Sequence, residues 1–189
     1  MDIRETISDN IKTPEDQINN AIGIFTLALR LHCSVRSDRI GPAHFIGPIK
    51  INTGGIGVNV RAQDYTPQEL NTVSYNLFIA SMGVVAGAID RALDELFGPK
   101  DSKDKSDVGS LRAIIYMIRC AFAHDPLNPR WCCSGKYQNI YSMEFKELGL
   151  IQFDGKTCNG LRFTMGDFGG LEAFVQMINK AHEIAATRR

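Results

Sequence analysis

Residues 111–131 read LRAIIYMIRCAFAHDPLNPRW. At about 100° per residue, Leu111, Ile114, Ile115, Ile118 and Phe122 fall on one side and form a core-facing stripe, while Arg112, Tyr116, Arg119 and Ala123 fall on another. Arg119 is therefore expected outside the core. Pro126 disfavours helical geometry at Asp125, so the helix should stop at or just past His124, leaving the imidazole beside the unpaired carbonyls of the last turn.

Two more helices announce themselves by their starts. Thr13-Pro14-Glu15-Asp16 combines an N-cap threonine, a proline at the first helical position and an acid at the third; Ile18, Ile22, Phe25, Leu29 and His32 or Cys33 then recur at helical spacing. Thr66-Pro67-Gln68-Glu69 repeats this grammar with a full capping box, and the helix it opens should continue to Phe97, where Gly98-Pro99 stops it. Gly83 and Gly87 inside it permit either a bend or close packing of a neighbour. Ser106 or Asp107 can cap the 111–124 helix. A last helix, starting near Asp167, carries Leu171, Phe174, Val175, Ile178, Ala181 and Ala185 on one face, with His182 on the same apolar side.

Between these lie two stretches of different character. In 34–65, Gly-Pro and Gly-Gly pairs punctuate short apolar runs, with Ile49 to Ile51 and Gly57 to Arg61 as candidate strands around a turn at Gly54-Gly55. No G-K-[ST] follows those glycines and no helix begins just after them, so a phosphate-binding loop is disfavoured. In 126–166, Arg130 to Cys133, Tyr137 to Ser142, Leu150 to Phe153 and Leu161 to Thr164 look like short strands forming a small antiparallel sheet. Trp131 and Tyr137 should seal it against the helices. The whole reads as one mainly α domain, 1–189, with four helices of bundle length and β-rich insertions at 34–65 and 126–166.

Arg119, four intervening residues ending in Ala123, and then His124 resemble the R-x4-6-H motif of HEPN domains, a superfamily of small all-helical domains. Many members are metal-independent endoribonucleases, often toxins of toxin–antitoxin or other defence systems. Arg119 and His124 match the two defining positions, and Ala123 matches the small residue often found before the histidine. Cys120 stands where such nucleases commonly have a polar residue, often asparagine. The resemblance implies a HEPN-like four-helix bundle, RNA as substrate, no metal and no cofactor, two motifs meeting across a homodimer cleft, and an antitoxin protein as a further partner.

The chemistry implied is attack of an RNA 2′-hydroxyl on the adjacent phosphate. It needs a proton acceptor and a cation for the charge developing on the non-bridging oxygens, roles that suit His124 and Arg119. Arg112 and Tyr116, on the stripe of Arg119, and Arg130 and Lys136 beyond it are candidates for contacting substrate. Five residues separate Arg119 from His124 by about 140° around a helix and about 7.5 Å along it, so either the helix end bends back or a second copy completes the site. The competing reading is structural: a histidine that bonds the last carbonyls and an arginine that pairs with an acid.

Lysine plus arginine and aspartate plus glutamate both number 21 in the 189 residues, and no long block of like charge occurs, which argues against broad duplex binding. The five cysteines, Cys33, Cys120, Cys132, Cys133 and Cys158, form an odd set without C-x-x-C spacing, and read as reduced, buried thiols; the histidines show no zinc spacing. The polar opening MDIRETISDNIK is unlike a signal or transit peptide, and the run from Leu77 to Ile89 is too short to span a bilayer. A cytoplasmic protein without a membrane partner is expected.

Overall fold

The computed structural model describes residues 13–47, 49–53, 56–60, 64–133 and 135–188; the polar segment at 1–12, the Gly54-Gly55 turn and Arg61 lie outside them. Four long helices are found among these residues: α1 (Pro14–Arg36), α2 (Pro67–Phe97), α3 (Asp107–His124) and, after the four-residue α4 (Gly155–Cys158), α5 (Gly170–Thr187). Both threonine starts form reciprocal boxes. Thr13 Oγ1 accepts from the Asp16 amide while Asp16 accepts from that of Thr13, each at 3.1 Å; Thr66 and Glu69 do the same at 3.2 and 2.8 Å. Ser106 Oγ accepts from the Gly109 amide at 3.0 Å and starts α3. Gly98, with φ 72°, ends α2 as its glycine predicts.

The core forms around α2, which packs on α1, α3 and α5. Phe25 of α1 meets Phe78 of α2 and Phe174 of α5, each with ring centroids 5.6 Å apart. Gly83 serves close approach: a methyl there would lie 2.6 Å from Phe122 Cβ, so any other residue would push α3 away. No atom lies within 4 Å of the corresponding point on Gly87. By length and composition, α2 as a whole reaches what a bilayer crossing needs, which the run 77–89 taken alone does not. Met82, Val85, Ala86, Ile89 and Leu93 nevertheless bury one side of it in the core.

The extended segments are fewer than the sequence implies. β1 (Ile49–Thr53) pairs antiparallel with β2 (Ile56–Val60), and β3 (Ile140–Phe145) with β4 (Gly149–Asp154). The strand expected at Tyr137 to Ser142 starts three residues late because residues 135–137 form a 3-10 turn. Arg130 to Cys133 and Leu161 to Thr164 are not strands; they touch in one bridge, Arg130 to Arg162. After β4 the Asp154 carboxylate accepts from the Lys156 and Thr157 amides at 2.9 and 3.2 Å and winds the chain into α4. Trp131 does seal the sheet, with its ring 4.6 Å from Phe153 and 4.8 Å from Phe163, and Nε1 donating to Asp167 at 2.7 Å. A 3-10 turn at Met165–Phe168 and left-handed glycines at 169 and 170 delay the last helix by three residues.

His32, rather than Cys33, faces the core. Its Nδ1 lies 3.1 Å from Ser74 Oγ, and its ring stacks on Phe78. Burial, with Arg36 nearby, lowers its pKa from 6.5. The sign follows from linkage: the neutral ring is favoured in the fold, so this stability is complete above about 6.5 and is lost as pH falls through the depressed native value. We expect the melting temperature to drop as pH falls below about 6.5, and His32→Asn to flatten that slope. An unchanged slope in the variant would remove His32 as its source.

Candidate functional site

Because α3 buries Leu111 to Ile115, Met117, Ile118, Ala121 and Phe122, only a narrow arc of its second half meets solvent. That arc runs from Arg119 across Tyr116, Cys120 and Ala123 to His124. The two motif residues stand at its edges. The helix does not bend back: it stays α-helical through His124, and Asp125, with φ −146° and ψ 93°, ends it. Asp125 Oδ1 then accepts from the Leu127 and Asn128 amides, both at 3.1 Å, and turns the chain away through Pro126.

Arg119 is oriented from behind. Its Nη1 donates to Asp90 Oδ2 at 2.9 Å, while half of the arginine side chain stays exposed. Asp90 itself is buried on α2, and its second oxygen lies 2.9 Å from Lys100 Nζ, though out of line for a hydrogen bond. One turn along α2, Asp94 binds Lys100 and Arg112. Partial burial pushes the Asp94 carboxyl up, but those two cations outweigh it and hold the pKa below the ordinary value. Two acids and three cations thus tie α2, the 98–106 connection and α3 together.

The other candidates are placed differently from the sequence reading. Arg112 is not at the surface: it is buried, bound to Asp94 and donating to the Gly98 carbonyl, with its guanidinium 5.3 Å from the Phe97 ring. Tyr116 is half-buried, 4.7 Å from the Tyr137 ring and 5.1 Å from Lys100 Nζ. Its bond with Cys120, the proximity of that thiol and burial push its phenol up to about 12, so it stays protonated near neutrality. Burial likewise raises the Cys120 thiol, against the opposing effect of Tyr116. Arg130 is exposed and donates to the Gly160 carbonyl at 3.3 Å, so its recorded partner lies outside α3. Lys136 sits 5.5 Å over the Tyr137 ring.

Arg119 rims a shallow hollow of about 270 Å³ formed by Ala80, Gly83 and Val84 of α2 with Phe122, Ala123 and Pro126. A larger groove, about 470 Å³, lies between Tyr75, Ile79, Leu127 and residues 162–166, with Arg162 its one titratable group apart from Tyr75. His124 lines neither. Within one chain the motif pair therefore shares a surface but not a pit.

Among the described residues no three His, Cys, Asp or Glu gather as metal ligands. All five cysteines are free, but Cys33 and Cys132 are exposed, against the expectation that each is buried. Arg188, near the end of α5, lays its guanidinium 4.1 Å from the Phe97 ring. His182 is partly buried, 3.9 Å from Glu15. The sequence reading missed Asp90, Asp94 and Lys100; two acids four residues apart, directly after the apolar run that ends at Ile89, were the available signal. No family model matches this chain, and neither a curated protein nor a solved structure does.

Proposed function

We propose that the protein is a metal-independent endoribonuclease of the HEPN type, with a HEPN-like bundle as its scaffold. One observation carries this reading: an arginine braced by a buried carboxylate, yet half exposed, shares the solvent-facing arc of a helix end with an exposed histidine. Arg119 would hold the non-bridging oxygens of the scissile phosphate, since its fork matches two of them and its charge persists at any working pH. His124 would accept the 2′-hydroxyl proton as the 2′-oxygen bonds to phosphorus. The P–O5′ bond breaks, and the leaving 5′-oxygen takes a proton from an acid, for which the second copy's histidine is available. The products are a 2′,3′-cyclic phosphate and a 5′-hydroxyl. DNA, which lacks the nucleophile, would survive. A cytoplasmic toxin or defence role, with an antitoxin as partner, extends the same resemblance.

A second reading, a non-catalytic dimerising or sensing module, is favoured by the Asp90 pair, because a structural arginine would be held in the same way. Incubation of the pure protein with RNA in excess chelator separates them. Fragments ending in cyclic phosphate are expected; RNA left intact at all protein concentrations would retire the nuclease reading.

A further inference from the structure

Beside the end of α3, one face of α2 is apolar and open to solvent. Val73, Leu77 and Val84 are 45, 49 and 48% exposed, with Ala80 and Gly87 half-exposed between them. The spacing alternates four and three residues, the seam of a two-helix coiled coil. Glu69 stands one turn before this run and Arg91 one turn after it, both exposed on the same side. The Thr66 box engages only Oε2 of Glu69, and Arg91 has no ion-pair partner among the described residues.

We infer that a second copy of this chain packs antiparallel along α2 about a two-fold axis at Ala80. The pattern is complementary to its own reverse, as an isologous contact requires. In that register Val73 faces Gly87, Leu77 faces Gly83 with Val84 beside it, and Glu69 faces Arg91, so each glycine receives a larger side chain and each seam end pairs opposite charges. The partner subunit's Leu77 enters the hollow floored by Phe122 and rimmed by Arg119. The seam spans about 33 Å at 1.5 Å per residue.

The same register arranges the motif. α2 and α3 run in opposite directions: Asp94 bonds Arg112, Gly83 meets Phe122, and Ala80 shares the hollow with Ala123. The end of α3 at His124 therefore comes level with Ala80, that is, with the axis. A two-fold operation about an axis normal to the paired helices keeps both α3 helices on the same side. The two His124 side chains then flank the centre of one groove, with an Arg119 about 7.5 Å farther out along the seam on each side. This supplies the second copy that the proposed cleavage reaction needs, and it rests on that reading for its purpose; the seam itself is measurable without RNA.

Light scattering of the full chain at tens of micromolar should give twice the chain mass. Leu77→Glu, at an exposed site, should give a monomer of unchanged helical circular dichroism. Glu69→Arg and Arg91→Glu should each weaken association about tenfold, since each places like charges at both seam ends, and the double variant should regain it. A monomeric wild type, a dimer indifferent to Leu77→Glu, or a double variant no better than the singles would overturn the seam. So would a monomer that floats with phosphatidylcholine vesicles, which would give this face to lipid. A seam that forms while RNA stays intact sinks only the nuclease reading; RNA cut equally well by monomeric Leu77→Glu sinks the seam's role in the site.

Discussion

Replacing Asp90 by alanine is expected to destabilise the fold by about 3–5 kcal/mol, the usual cost of removing one partner from a buried ion pair. Asp90 is 2% exposed, and the Lys100 side chain it faces is 10% exposed. Without it, one carboxylate, Asp94, itself 41% exposed, would remain to offset the mostly buried Lys100 and Arg112 and the half-exposed Arg119. Lys100 would keep its bond to Asp94, which places the effect at the lower end of that range. Asp90→Asn, similar in shape but uncharged, should cost less and leave Arg119 loosely held. Urea denaturation monitored by circular dichroism reads the difference, with the midpoint moving and the slope unchanged. A loss below about 1 kcal/mol for the alanine variant would mean that the network contributes as little as an exposed pair does.

The second large effect concerns RNA. His124→Ala and Arg119→Ala should each lower cleavage by about 100-fold or more, the range for losing a positioned general base or a charge-stabilising donor. Arg119→Lys should not restore the rate, because an ammonium cannot present two parallel donors to a phosphate. Since Arg119 also braces Asp90, its variants must be assayed well below their melting temperatures; His124, exposed and free of that network, is the cleaner probe. Chain-scission rates on a fluorescent oligoribonucleotide, with chelator present throughout, provide the measurement. A change under about threefold in both variants would leave the helix end a structural feature and favour the interaction module.

The helices were legible because their starts and stops are local chemistry. Thr13 with Asp16, Thr66 with Glu69, Ser106 and Gly98 settle their own termini within four residues of chain, and each is found as read. The sheet was less so. Leu161 to Thr164 has the residues of a strand, yet it meets the 130–133 segment in a single bridge, and such a tertiary pairing is not written in local residues. Arg112 shows a further limit. A helical wheel places it with Arg119, outside the apolar stripe, but says nothing of the acid on a neighbouring helix that draws it inward. The apolar run from Leu77 to Ile89 meets charge at Asp90-Arg91; in the fold Asp90 is interior and Arg91 exposed, so that boundary marks a face and not an end.

Because α2 packs on all three other long helices, fraying of any one of them leaves its middle turns covered by the remaining two. Backbone amides from Met82 to Leu93 should then be the last in the molecule to trade their protons for deuterium, doing so only when the entire chain opens.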